Sequence, residues 1–250
     1  MTDIFEAPKS ELIDQKDATT EYGSVEKAIL GDYEFSIGDV LKEGWQKTKG
    51  AKWSIHLAFF WYLLVIIAVA VLMQLAMVTV ISKLPDPNIV IAVSVVQQIV
   101  LNIIVLPIVM GIFLLGVKRS VDAPLESTSI FDYFSKTVSI FLTVLLIYIM
   151  VIIGFILLVV PGIYLSLAYF MALPLVVEKG LSPWQAMEVS RKAITKRWFS
   201  FFFFGLLIGI IVFISMIPLG IGMIWTLPLM LICYGILYRN MFGVEGETLI

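Results

Sequence analysis

One histidine and one cysteine stand in 250 residues, and that count narrows the chemistry. General acid–base catalysis needs a base, an acid and a group that orients them, and His56 has no second histidine or nearby acid to work with. It sits beside Trp53 and Trp61 and reads as a neutral interfacial residue. Cys233, alone in an apolar run, excludes a disulfide framework and a thiolate metal site. No Ser/His/Asp set, paired intramembrane carboxylates, H-E-x-x-H or glycine-rich phosphate loop can be assembled. No catalytic, cofactor-binding or metal-ligating residue is assigned, and the chain reads as non-enzymatic.

The side chains that could act are polar or charged groups set in or beside apolar text. Ser94, Gln98 and Asn102 recur at i, i+4 and i+8 and form one stripe of a helix, with Gln97 beside it. Amides in hydrocarbon must find partners, so the stripe is expected to bond across to a neighbouring helix. A polar path or a lipid-headgroup contact is its other possible use. Glu178 is the acid nearest an apolar run, placed at a helix C-terminus where the dipole disfavours it. It reads either as a plain helix-ending interfacial acid or as one with a cation beside it, from Lys179, Arg191 or Arg197, with Arg191 taken as the candidate interface partner. Just beyond, Ser182-Pro183-Trp184-Gln185 has the form of a capped helix start. On the helix that follows, Trp184, Ala186, Met187, Ala193, Ile194 and Trp198 share one half, and Gln185, Glu188, Lys192 and Lys196 the other. A basic amphipathic helix of this kind suits a membrane surface, with Trp184, Met187 and Ile194 toward lipid. Lys192, Lys196 and Arg197 are the candidate lipid-headgroup contacts. The expected partners are anionic membrane lipids, with a protein partner or self-association also in view; no nucleic acid and no cofactor is expected.

The elements that position these residues follow from composition. Hydrophobic residues make up 60% of the chain and charged ones 14%, far from the roughly 25% charged of a soluble domain. Uncharged runs cover 53–82, 87–117, 137–177 and 198–238. A span needs about 20 apolar residues, so the last two runs must each fold back, at Val160-Pro161-Gly162 and at Pro218-Leu219-Gly220. Six spans result, with outer turns at 83–87, 160–162 and 217–220. Of 17 lysines and arginines, only Lys83 falls on the outer side, so both termini are expected in the cytoplasm. No signal peptide is visible, because the first 50 residues are polar and acidic, and residues 1–35 hold nine acids. That segment is expected to be a disordered cytoplasmic tail, with Ile4-Phe5-Glu6-Ala7-Pro8 as a short docking motif or a plain tethered end.

Ser36, Ser129 and Ser182 each open a predicted surface helix that precedes a pair of spans. The second span of each pair carries a similar tetrapeptide, beginning at Leu106, Leu173 and Leu227, with helix kinks expected at Pro107, Pro174 and Pro228. The fold class is therefore all-α: a polytopic membrane protein of six transmembrane helices. They are arranged as three tandem hairpins, each preceded by an amphipathic cytoplasmic surface helix. The domain reading is a tail (1–35), a membrane domain (36–242, in units 36–118, 129–178 and 182–239) and a free C-terminal tail (243–250). Gly205 and Gly209 form a G-x-x-x-G face in the fifth span.

Pro161-Gly162-Ile163-Tyr164, the run Leu173 to Glu178, Gly180-Leu181-Ser182-Pro183, Ala186, Ser190-Arg191 and Trp198 carry a resemblance. They are similar to a six-span membrane domain attached to some bacterial glycerophosphodiester phosphodiesterases, and to related small inner-membrane proteins. The resemblance covers about residues 157–205 closely and 36–156 diffusely. It implies a bacterial inner-membrane location and the six-span fold; the phosphodiesterase catalytic domain has no counterpart here. The expected function is a membrane scaffold or lipid-interacting protein of envelope homeostasis. An uncoupled carrier of a lipid-like or small polar solute is the alternative, since no charged residue lies within the predicted spans to couple an ion.

Overall fold

The computed structural model describes residues 22–84 and 86–249, and over these the chain is helical with no strand. Helix α1 (Val25–Leu30) starts where Ser24 Oγ accepts the Lys27 amide at 3.3 Å. Helix α2 (Ile37–Lys47) starts on Ser36, whose hydroxyl accepts the Asp39 amide at 3.4 Å. Helices α3 (Lys52–Lys83) and α4 (Pro87–Ser120) form a long hairpin, with Asp86 capping α4 ahead of Pro87. A 3-10 stretch, Ser127–Lys136, runs into α5 (Thr137–Leu157), which turns back into α6 (Val159–Ala168) and α7 (Ala172–Glu178). The amphipathic helix α8 (Pro183–Thr195) precedes α9 (Trp198–Met216) and α10 (Met223–Phe242), and a last 3-10 turn covers Gly246–Leu249.

Five stretches are long and apolar enough to cross a membrane: Lys52–Lys83, Pro87–Ser120, Ser127–Leu157, Val159–Glu178 and Trp198–Met216. The expected sixth, α10, lies outside that set. Its 20 residues enclose Pro228 and close on Tyr238-Arg239-Asn240, and Tyr238 and Arg239 are buried and bond other helices. Helix α4, at 34 residues, is about 51 Å long, well beyond a hydrocarbon core of about 30 Å. Its C-terminal part, from Pro107 to Ser120, is mostly buried and joins Leu229–Phe242 of α10, α7, α8 and Val40 of α2 in one core. The other ends of α3, α4, α5 and α9 carry exposed apolar side chains such as Ile67, Leu72, Ile91, Ile156 and Phe213. The protein is thus a packed foot at the cationic end from which lipid-compatible helices project.

Close backbone contact locks the foot together. A Cβ placed on Gly116 of α4 would fall on the Leu231 carbonyl, and one on Gly235 of α10 would fall on the Gly116 carbonyl. Only glycine at both positions allows this crossing.

Several expectations need correction. The α5–α6 turn is at Leu158, extended at φ −168° and ψ 157°, and Pro161 sits in the first turn of α6, where its missing N–H costs nothing. Ser129 does not open a helix; its hydroxyl donates back to the Glu126 carbonyl at 2.8 Å inside the 3-10 stretch. Pro107 and Pro228 lie inside continuous helices, whereas Pro174 lies in the first turn of α7, after the chain has already broken at Tyr169-Phe170-Met171. The three Leu-Pro sites are therefore not equivalent. Residues 22–35 are ordered, with Ala28 buried on the core, and the C-terminal tail is tied down rather than free. Ile4-Phe5-Glu6-Ala7-Pro8 lies outside the described residues.

Candidate functional site at the cationic end

The break in the fourth apolar stretch is held by side chains from two other helices. Ser190 of α8 accepts the Met171 amide at 3.1 Å and donates to the Ala168 carbonyl at 2.7 Å, with the serine fully buried. Tyr234 of α10 donates to the Phe170 carbonyl at 3.3 Å. The backbone groups that a broken helix exposes are in this way satisfied within the protein. The residues around it belong to one packed unit. The Tyr164 and Thr195 hydroxyls share a 2.6 Å hydrogen bond, and the Tyr164 and Trp198 rings lie 6.5 Å apart.

Glu178 ends α7 with a side chain wholly shielded from solvent. Its carboxylate accepts from the Tyr238 hydroxyl at 2.7 Å, from the Glu245 backbone amide and from the Thr248 hydroxyl at 3.4 Å. Lys179 Nζ lies 3.5 Å from it and 2.8 Å from Glu245. Arg191 is not its partner. That guanidinium is bound twice by Glu188 one turn back on α8, at 2.9 and 2.8 Å, because a fork-on-fork pair at i,i+3 is within reach without crossing to α7.

A second knot, which sequence reasoning missed, centres on Arg239 of α10. Its guanidinium meets both Glu43 oxygens at 2.8 and 3.0 Å and the Ser120 carbonyl at 2.5 Å, with the Tyr22 ring 4.5 Å away. Arg119 reaches the Lys47 and Lys49 carbonyls at 2.8 and 2.7 Å, so the end of α4 caps the end of α2. The signal in the sequence was a lone arginine closing an apolar run, which reads equally as a plain end marker. Beside this knot a cleft of about 620 Å³ opens, lined by both charge signs, including Lys27, Asp32, Glu34, Asp39 and Arg197.

Helix α8 keeps only part of its expected pose. Met187 and Ile194 are buried in the foot, along with Ala186 and Ala193, and Trp184 alone of the predicted lipid-facing trio stays exposed. Lys192, Lys196 and Arg197 are exposed on the outer side of the foot, and Arg197 also lies 5.4 Å over the Tyr33 ring. The Tyr33 hydroxyl donates to the Ala193 carbonyl at 3.0 Å, and burial pushes that phenol up to about 12 against the pull of Arg197. Hydrogen bonding from Arg191 holds the Glu188 carboxyl below its ordinary range.

Among the described residues the polar stripe makes no interhelical hydrogen bond. Ser94 bonds the Val90 carbonyl at 2.8 Å and Asn102 the Gln98 carbonyl at 2.8 Å, both on α4 itself, while Ser94 and Gln98 face outward. The bond across to α3 is made by Gln97, to the Met73 carbonyl at 2.7 Å. His56 bonds its own helix at the Lys52 carbonyl, 2.7 Å away. Among the described residues no three His, Cys, Asp or Glu side chains are grouped so as to hold a metal ion. In comparisons with known proteins, no family model, no curated protein and no solved structure matches the chain.

Proposed function

We propose that this chain is a non-enzymatic membrane scaffold whose foot rests on an anionic lipid surface. The observation that carries the reading is the outer rim of the foot. The chain at that end carries exposed Trp45, Trp53 and Trp184 together with exposed Lys42, Lys49, Lys192, Lys196 and Arg197. Tryptophan at headgroup level beside lysine and arginine is the signature of a membrane interface, and the cationic face is the cytoplasmic one. On this reading the chain crosses six times, with α10 as the short return. Support comes from Arg239–Ser120 and Tyr238–Glu178, which bring the end of α10 to the ends of α4 and α7. Both ends of the described chain are then cytoplasmic, in a bacterial inner membrane.

The alternative, a carrier of a lipid-like or small polar solute, would use the free backbone groups of a broken span. Here Ser190 and Tyr234 already occupy them, which favours the scaffold. Extraction in native lipid and mass spectrometry of the purified protein tests this. Retained anionic phospholipid, displaced by salt, is the expected result; a stoichiometric non-lipid solute would select the carrier, and no lipid preference would defeat the scaffold reading.

A further inference from the structure

We propose that the outer half of α4 is the seam of a parallel homodimer, with Gln98 and Asn102 as its hydrogen-bonded layers. Taken from Ile91, the residues Ile91, Val95, Gln98, Asn102 and Val105 follow at alternating steps of four and three, the first three exposed and the last two half-buried. That is the a/d spacing of a two-stranded coil, with Ile91 and Gln98 at d and Val95 and Asn102 at a. Ile91 is 62% and Val95 54% exposed, and Gln98 is exposed too. Eighteen residues, five full turns, separate Gln98 from Gly116, so both lie on one face. At Gly116 that face is taken by α10 of the same chain; at Gln98 it is open.

An apolar strip in this position would be satisfied by lipid, but a carboxamide would not. Among the described residues the Gln98 amide has no hydrogen-bond partner, and the Asn102 amide donates only to its own helix. In hydrocarbon each needs a donor and an acceptor at its own depth. A second copy supplies both, because a carboxamide is self-complementary and a two-fold axis along the membrane normal sets Gln98 against Gln98 and Asn102 against Asn102. Asparagine at an a position is also the residue that fixes a parallel, in-register pair. The seam runs from Ile91 to about Asn102, below which α10 wedges the two copies apart. The inference rests on α4 crossing the membrane, and it is independent of lipid binding by α8.

Disulfide trapping in native membranes tests it, since Cys233, the only native cysteine, is fully buried. Ile91→Cys and Val95→Cys should oxidise to a species of twice the chain mass. Val96→Cys, equally exposed but pointing away from the seam, should not. In the Val95→Cys background, Gln98→Leu with Asn102→Leu keeps apolar bulk and removes the amides. It should cut the trapped dimer about tenfold, which is about 1.4 kcal/mol for the two layers together. Because neither amide bonds another element among the described residues, detergent thermal stability and α8-dependent lipid retention should be unchanged. Equal trapping at Val95 and Val96, trapping to a different protein, or full trapping in the double leucine variant would each overturn the proposal. A dimer with no anionic lipid preference would instead sink the scaffold reading alone.

Discussion

The Tyr238 hydroxyl donates a 2.7 Å hydrogen bond to Glu178, a carboxylate with no solvent exposure at all, sixty residues earlier in the chain. It ties the end of α10 to the end of α7, and the Glu245 amide and Lys179 complete the shell around the same group. A hydrogen bond to a charged group contributes about 1.5–3 kcal/mol. Glu178→Gln and Tyr238→Phe should therefore each lower the detergent melting temperature by several degrees, and together by clearly less than their sum. Arg191→Gln should add in full to Glu178→Gln, because Arg191 belongs to Glu188.

Five apolar helices long enough to span were legible in the sequence because hydrocarbon imposes one rule on every residue, and uncharged runs report it directly. The foot was less so, because its contacts are distant in sequence. Arg239 and Glu43 are 196 residues apart, and of the local cations Lys179, Arg191 and Arg197 that the sequence offers Glu178, Lys179 lies beside it, while Tyr238 is sixty residues on. The pattern of α8 was read correctly as amphipathic, yet burial against lipid and burial against protein produce the same periodicity. Met187 and Ile194 could not show which it was. The two glycines of the α4–α10 crossing were invisible for a related reason. Gly205 and Gly209 have the expected spacing and touch nothing among the described residues, while Gly116 and Gly235 meet from two different helices.

Gly116→Ala and Gly235→Ala should each force α4 and α10 apart, since the added Cβ would meet backbone that cannot rotate away. Overpacking of this kind typically costs about 1–3 kcal/mol, and more where backbone must move. Size-exclusion profiles should show little folded protein for either variant, and Gly205→Ala should behave as wild type.

Ser190→Ala would leave the Ala168 carbonyl and Met171 amide unpaired inside the protein. The expected loss is about 1–3 kcal/mol, read as a lower melting temperature. Ser166→Ala is the control: Ser166 is exposed, and its hydroxyl bonds only its own helix at the Ile163 carbonyl. That change should stay within about 0.5 kcal/mol.

Two groups outside the spans give opposite pH responses. Tyr33 is raised in the folded state, to about 12, from about 10 when unfolded. Its contribution is complete below pH of about 10 and is lost as pH rises toward 12. Wild type should lose stability over that window faster than Tyr33→Phe. Glu188 is lowered by Arg191, so its contribution is present above the ordinary carboxylate range and disappears as pH falls through the folded value. Glu188→Gln should flatten the acid limb of a melting-temperature profile, and an unchanged limb would remove the pair from the account.

The headgroup reading turns on which cations are free to meet lipid. Arg191 is held by Glu188 on both forks, whereas Lys192, Lys196 and Arg197 are exposed. Lys192 lies 3.4 Å from Glu188, but nearly half of its side chain is open to solvent, so it keeps most of its charge available. Each cation near an anionic leaflet contributes about 1 kcal/mol, screened by salt. Replacing Lys192, Lys196 and Arg197 with Gln should reduce co-purified anionic phospholipid severalfold at low salt, with the difference shrinking as salt is raised. Arg191→Gln should leave lipid retention nearly unchanged. Equal retention by the triple variant and wild type at low salt would take α8 out of the lipid contact.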